Sequence, residues 1–172
     1  YGENLAKILA TKKEIYKLVN DILKEFGFKL VLEYNDGKYE IKIQKETDII
    51  IQFPYCLLSD TLQRIIFYLC AIKTNKNSIL IFEEPESNSF PYWAKFLAET
   101  IALDTDNQYF ISTHNPYILT PIIEKTKSDD FSIFIVKYNR KKYGTEIKPL
   151  SKKKLNEILR GVDIFDIFFN LD

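Results

Sequence analysis

Two adjacent carboxylates and the only histidine of the chain each follow an apolar segment, and this placement suggests catalysis. Glu83 and Glu84 come directly after the apolar run 79–82, and His114 comes directly after the run 109–113. In open α/β sheets, ligands bind in the crevice at the carboxyl ends of the strands. Because neighbouring parallel strands end at the same edge, we expect the acids and the imidazole to share one crevice.

An acid pair at a strand end suits the hydrolysis of a magnesium-bound nucleotide. One carboxylate would act on the hydrated metal, and the next would polarise the water that attacks the γ-phosphate. The imidazole is placed to donate a hydrogen bond to a phosphate oxygen. Two other interpretations stay open. In one, Glu83, Glu84 and Glu86 are solvated loop acids that favour the N-terminus of the following helix; in the other, His114 is a surface loop histidine.

The segment around these residues alternates helix and strand. Ser59 or Asp60 is a plausible N-cap for a helix, and the run 79–82 is then expected to form a buried strand. Pro91 and Pro116 are placed near the first turns of two further helices, with a strand between them that runs to residue 113. This order of strand, helix, strand and helix predicts an α/β fold with a parallel sheet.

The flanking segments predict smaller elements. Apolar residues at helical spacing from Leu5 to Phe26 predict one amphipathic helix that Gly27 stops. The turn residues 35–37 predict a hairpin between the runs 29–34 and 39–43, and the run 48–53 is expected to extend it. In the tail, the runs 131–138 and 146–150 predict strands, and Ser151 can cap a last helix that runs to residue 160.

The composition fits one globular domain over residues 1–172, since 46% of the chain is hydrophobic. Lysine plus arginine equals aspartate plus glutamate at 24 each, so net charge gives no reason to expect nucleic acid or membrane as the main partner. Cys56 and Cys70 lack metal-ligand spacing and indicate a reducing compartment. The sequence predicts no membrane span and no signal peptide, and therefore a cytoplasmic protein. The chain starts at Tyr1 and contains no methionine, so we expect a segment upstream.

Three segments in order resemble the C-terminal lobe of an ABC-type ATPase head of the SMC, Rad50 and RecF kind. Residues 58–64 resemble the signature segment, residues 79–86 resemble Walker B, and residues 112–117 resemble the switch-histidine loop. The likeness extends to prokaryotic stand-alone AAA-type ATPases and to the OLD family. It implies the C-terminal part of a P-loop NTPase, in which helices flank a central parallel sheet and antiparallel hairpins lie at the periphery.

The resemblance also implies roles for individual residues. Glu84 would be the catalytic base, Glu83 the Walker B acid that acts on magnesium, and His114 the γ-phosphate sensor. Ser59 and Asp60 would contact a nucleotide bound on an opposing subunit, since a helix N-terminus favours anions. The cofactors implied are ATP and Mg²⁺, and the partner implied is a second head in a homodimer.

The segment after Walker B and the signature both depart from the family pattern. Asn88 falls where the family has its nucleotide-contacting D-loop, which follows Walker B and runs along the dimer interface. Ser89 and Phe90 replace a common Leu-His pair in the same loop. Thr61 stands where a signature glycine is common, and its Cβ would hinder close approach of a phosphate to the backbone.

The sequence contains no G-x-x-x-x-G-K-[ST] loop, and Gly37-Lys38 falls in the predicted hairpin. In the resembling family that loop belongs to an N-terminal Walker A lobe. We therefore expect this lobe as a partner, with a nucleic acid or an effector protein as a further candidate. Two alternatives remain: an incomplete lobe that acts as a protein interaction module, and an OLD-type nuclease, for which the late acids Asp163 and Asp166 are the only candidates.

Overall fold

The computed structural model describes residues 2–45 and 49–160 together with Asp166, and it has a mixed α/β fold. The helices are α1 (Leu5–Thr11), α2 (Lys13–Lys24), α3 (Asp60–Thr74), α4 (Pro91–Ala102), α5 (Pro116–Lys125) and α6 (Lys152–Leu159). The strands are β1 (Phe28–Asn35), β2 (Lys38–Lys45), β3 (Ile51–Pro54), β4 (Ile79–Glu83), β5 (Gln108–Ser112), β6 (Phe134–Asn139) and β7 (Gly144–Pro149). A short 3-10 turn, Tyr55–Leu57, leads from β3 towards α3.

The N-terminal segment forms two helices, so the prediction of one continuous helix was wrong. The break lies at Lys12, whose φ of −108° and ψ of 89° are not helical. Leu9 and Ile15 are six residues apart, about one and two-thirds helical turns, so a single helix would turn one of them away from the core. The break lets both side chains be buried, Leu9 from α1 and Ile15 from α2.

The predicted hairpin is present and carries the expected third strand. Strands β1, β2 and β3 form an antiparallel sheet in that order. Asn35 pairs with Lys38, and the two residues between them, Asp36 and Gly37, have φ values of 47° and 81°. Positive φ at both central positions is what a type I′ hairpin turn requires. The third strand begins at Ile51, and the predicted start at residue 48 lies outside the described residues.

Strands β4 and β5 are parallel neighbours, as the alternation of helix and strand predicted. Their inner face packs on the main hydrophobic core, which α1, α2, α3, α4 and the β1–β2 hairpin also build. Phe82 is the buried anchor of this face, with ring centroids 4.9 Å from Tyr68 of α3 and 6.0 Å from Tyr109 of β5. Helices α4 and α5 meet through the buried residues Ala94, Ala98 and Ile118, and the two small alanines allow close approach.

The outer face of the β4–β5 sheet is apolar and open. Ile79, Ile81 and Phe110 are 62%, 77% and 54% exposed, although the run 79–82 was expected to form a buried strand. The prediction was wrong because the described helices pack on one face only. A continuous apolar run is typical of a parallel strand that is covered on both sides. In the part of the chain that the structure describes, the second side is left uncovered.

The C-terminal part forms a second, smaller unit of packing. Strands β6 and β7 pair antiparallel, and they begin and end a few residues from their predicted bounds. Ser151 caps α6 as expected, since its Oγ accepts a 3.4 Å hydrogen bond from the Lys154 amide. Helix α6 packs on α5 through Leu155, Ile158 and Ile123. Of the two late acids, Asp163 lies outside the described residues and Asp166 is exposed.

Both cysteines are free thiols, as predicted. Cys56 is exposed, whereas Cys70 is buried in α3, where burial raises the pKa of its thiol to about 12. None of the helices in the described parts of the chain reaches the length and apolar character of a membrane span.

Candidate functional site

The ends of β4 and β5 bring Glu84 and His114 together. The Nδ1 atom of His114 lies 3.1 Å from Oε1 of Glu84. The parallel register places Glu83 opposite Ser112, so both loops start at the same edge of the sheet. The proximity of the acid and the imidazole that the sequence predicted is therefore present, and both side chains are open to solvent. An exposed acid and imidazole in contact can exchange a proton with a bound ligand.

The backbone at Glu84 is held in an unusual conformation. Its φ is 39°, in the left-handed region that non-glycine residues seldom adopt. Its amide donates a 2.9 Å hydrogen bond to the carbonyl of Ser112, and Ser87 Oγ donates a 3.1 Å bond to Glu84 Oε2. Such strain persists where the surroundings over-determine it, and it is concentrated at functional sites. The position of the Glu84 carboxylate is thus fixed by the backbone hydrogen bond to Ser112 and by the bond from Ser87 to Oε2, the oxygen that does not contact His114.

Glu83 is the last residue of β4, and its exposed side chain shares the open outer face with Ile81 because side chains alternate along a strand. Within the described residues, no group of three or more His, Cys, Asp or Glu side chains could hold a metal by itself. Mg²⁺ commonly takes one or two carboxylates and fills its other positions with water and phosphate oxygens. The exposed Glu83 carboxylate fits a magnesium site of this kind, which a bound nucleotide would complete.

Glu86 is the functional candidate that the sequence did not single out. It was grouped with solvated loop acids, but it is only 4% exposed, and its Oε1 accepts a hydrogen bond from Thr113 Oγ1. The helix-dipole interpretation of the acids is wrong as well, because the first turn of α4 contains no acidic residue. No signal in the sequence marked this burial, which depends on the contact of Glu86 with Thr113 in the loop after β5.

The signature-like segment forms a separate cluster at the start of α3. Ser59 is the N-cap, and its Oγ accepts a long 3.5 Å bond from the Leu62 amide, while Asp60 lies in the first turn. Thr61 Oγ1 donates a 2.8 Å hydrogen bond to the carbonyl of Asn88, whose φ is 58°. This bond joins the signature segment to the loop after β4.

The two clusters are distinct within one chain. In the part of the chain that the structure describes, no hydrogen bond or ion pair joins Ser59 or Asp60 to Glu83, Glu84 or His114. Asn88 belongs to the signature cluster through its carbonyl, although it follows the acids in sequence. The predicted site residues therefore form two groups, an acid and histidine pair and a signature cluster.

Acids at the end of a parallel strand, a histidine at the end of its neighbour and helices packed beside the sheet form an α/β arrangement with a P-loop NTPase-like fold. The chain belongs to the AAA ATPase domain family, whose model matches residues 1–119. The matched region contains both clusters of the candidate site. No curated protein sequence matches the chain.

Solved structures of SMC ATPases share this fold. One, described in work on ATP-driven dimerization and DNA-stimulated activation of SMC ATPases, has a TM-score of 0.58 and 15% identity, and the alignment covers 88% of this chain and 92% of that one. An SmcHead bound to the C-terminal winged-helix domain of ScpA has a TM-score of 0.58 and 14% identity, over 89% of this chain and 50% of that one.

An Smc head domain from Pyrococcus furiosus, with an extended coiled coil and bound to the C-terminal domain of ScpA, is similar to the same degree. Its TM-score is 0.57 at 14% identity, and the alignment covers 86% of this chain and 37% of that chain. The chain thus spans about half or less of the two ScpA-bound heads. At these identities the likeness defines the fold.

Proposed function

We propose that residues 1–172 form the Walker B, signature and switch-histidine lobe of an ATPase head that hydrolyses ATP. The observation that carries the proposal is the Glu84–His114 pair at the ends of two adjacent parallel strands. Membership of the AAA ATPase domain family supports ATPase-type chemistry, and the site supplies the acids that this chemistry uses.

In the proposed mechanism Glu84 accepts the proton of the attacking water, and His114 donates a hydrogen bond to the γ-phosphate. Their contact orients both side chains, and the strained backbone at Glu84 fixes where the carboxylate stands. Glu83 would hold Mg²⁺, which neutralises charge on the phosphates when it is bound.

The open face of the β4–β5 sheet supports a second polypeptide segment in the complete site. An isolated two-stranded sheet is at best marginally stable, and purely parallel sheets are normally covered on both faces. Ile79, Ile81 and Phe110 are the residues such a cover would bury. The sequence has no phosphate-binding loop, so we assign the cover to a Walker A lobe, either in the same polypeptide or in a separate one.

The signature surface supports association of two heads. Ser59, Asp60 and Asn88 are exposed and form no bond to Glu84 within the described chain. The N-terminus of the 15-residue helix α3 provides free amides and a favourable dipole for a phosphate. We propose that this surface contacts the nucleotide of the opposing head, so that a homodimer contains two composite sites.

The test is the Glu84→Gln variant of the protein that contains the Walker A lobe. The amide keeps the shape of the side chain but cannot accept the proton, so we expect the turnover number for ATP to fall by about 10²–10⁴. Nucleotide-dependent dimers should persist and can be measured by analytical ultracentrifugation. Glu124→Gln, an exposed change on α5, is the matched control. Unchanged hydrolysis in Glu84→Gln would show that Glu84 is not the base.

A second candidate function is a protein interaction module without catalysis. The Thr61 hydroxyl is already bonded to Asn88, and its Cβ occupies a position where the family pattern favours glycine. The isolated chain also lacks a phosphate-binding loop. Titration with labelled ATP and with a complete head separates the two functions, since a module binds the head in both the presence and the absence of nucleotide and never supports hydrolysis.

The similar SMC structures are described with ScpA and with DNA-stimulated activation, and we extend the proposal to a regulator of one of these two kinds. The zero net charge provides no long-range attraction to DNA, so an effector protein is the partner that the composition favours. The free thiols Cys56 and Cys70 and the use of ATP support a cytoplasmic location.

A further inference from the structure

Glu86 is the one charged side chain that is buried among the residues the structure describes. Its Oε1 accepts the hydrogen bond from Thr113 Oγ1, while Oε2 is buried without a partner. A buried carboxylate that lacks part of its hydrogen bonding is destabilising, and an apolar side chain of similar size would pack there at lower cost. A requirement other than stability therefore explains a carboxylate at this place.

The contacts of Glu86 lead to both neighbours of His114. Thr113 is held by its hydroxyl, and the same oxygen accepts a 3.0 Å hydrogen bond from the amide of Asn115. Asn115 in turn caps α5, since its Oδ1 accepts a 2.9 Å bond from the Tyr117 amide. The backbone on each side of His114 is thus fixed, one side directly by Glu86 and the other through Thr113.

His114 itself has little other support. Its side chain is largely exposed, and Glu84 is the partner that holds its Nδ1. An exposed ring keeps one rotamer only if the backbone below it is fixed and the contact at its tip is maintained. The loop after β5 is fixed to the loop after β4 at two points, by the Glu84 amide on Ser112 and by Thr113 on Glu86.

We propose that Glu86 is a positioning residue that holds His114 against Glu84 through Thr113 and Asn115. The proposal rests on the proposed function, in which these two side chains act on the nucleotide, but the positioning is a property of the isolated chain. Because its carboxylate is buried, we assign Glu86 an action through these two residues and not on the nucleotide itself. It sets the distance between His114 and Glu84.

The test uses the fact that His114 is the only histidine, so its imidazole signals in an NMR spectrum need no assignment. Glu84→Gln is introduced into four chains: wild type, Thr113→Ser, Thr113→Val and Glu86→Leu. In each, the change in the His114 chemical shifts that Glu84→Gln causes is measured. Wild type and Thr113→Ser keep the hydroxyl and should show the full shift. Thr113→Val and Glu86→Leu break the same hydrogen bond from opposite ends and should reduce it by about threefold or more.

A full shift in either folded variant that lacks the hydrogen bond would overturn the proposal, and folding of one of the two is enough for the measurement. In the protein completed by the Walker A lobe, Thr113→Val should lower kcat about tenfold with little change in KM, and Thr113→Ser should restore it. If the wild-type protein bound but did not hydrolyse ATP while the NMR coupling followed the hydroxyl, the proposed function would fail and the positioning role would stand.

Discussion

The two faces of the β4–β5 sheet have similar apolar residues and opposite surroundings. The inner face, with Phe82 and Tyr109, packs on the main core and contacts the helices. The outer face, with Ile79, Ile81 and Phe110, is open. Along β4, core-facing and outward-facing side chains alternate, so this one short strand contributes to both faces.

The difference separates what stabilises the chain from what completes the site. Burial of the inner face stabilises the described fold, because its apolar surface is removed from water on folding. The outer face contributes little of this kind, yet Glu83 emerges from it, and an exposed apolar patch beside a polar edge marks an interaction site. We infer that the inner face stabilises the fold of this lobe and that the outer face binds a second lobe.

The largest expected difference in stability is between removing an aromatic ring from the inner face and removing one from the outer face. Phe82→Ala should lower the free energy of unfolding by about 3–5 kcal/mol, since it removes a buried ring and leaves a cavity. Phe110→Ala, the matched change on the outer face, should cost about 1 kcal/mol or less. Urea unfolding of the isolated chain measures both. Equal losses would mean that the outer face is also covered in solution.

A smaller effect is expected for assembly. Ile81→Asp should weaken binding of the Walker A lobe about 10–100-fold, because it places a charge at the centre of the proposed interface. The isolated chain should lose less than about 1 kcal/mol of stability, since the side chain stays in water. Calorimetric titration with the lobe measures the affinity. Tyr34→Asp, an exposed aromatic position on the separate hairpin, should leave the affinity unchanged; equal weakening there would place the interface elsewhere.

The sequence predicted the inner face well because local rules decide it. Helical spacing identified α3 and α4, the Asp36-Gly37 turn identified the first hairpin, and Ser59, one of the two predicted caps, is the N-cap of α3. The proximity of Glu84 and His114 followed from the parallel order of two neighbouring strands. These features depend on residues close in sequence or on a rule of connection between adjacent strands.

The features that sequence reasoning missed depend on tertiary packing. An apolar run indicates a buried strand but does not say which chain covers it, so the open face of β4 was not foreseen. The burial of Glu86 depends on the loop after β5, which lies 27 residues further along the chain. The break at Lys12 depends on where the core lies relative to α1 and α2, and no glycine or proline in the sequence signals it.

The smallest effect expected is at the polar edge of the inner face, where Tyr109 donates a hydrogen bond to Asp104. Tyr109→Phe keeps the packing of the ring and removes this bond, so the free energy of unfolding should fall by about 1 kcal/mol. Asp104 keeps its bond from Asn107 Nδ2 at 2.8 Å, which limits the loss. Tyr34→Phe, on the exposed hairpin, is the control and should change stability by less than about 0.5 kcal/mol.

The pH dependence of the loss of stability in Tyr109→Phe tests whether the hydrogen bond from Tyr109 to Asp104 causes it. Partial burial opposes ionisation of Asp104, but bonds from Tyr109, Asn107 and the Asp106 amide, with the charge of Lys73, lower its pKa below the ordinary 3.8. Its stabilisation is present above that value and is lost as pH falls through the folded-state pKa. Burial, and then the bond to Asp104, raises the pKa of Tyr109 above its ordinary 10.0, so its stabilisation is lost as pH rises through the folded-state pKa. The difference between wild type and Tyr109→Phe in urea unfolding should therefore be largest near neutral pH and shrink at both extremes; a difference independent of pH would show that the hydroxyl acts through packing.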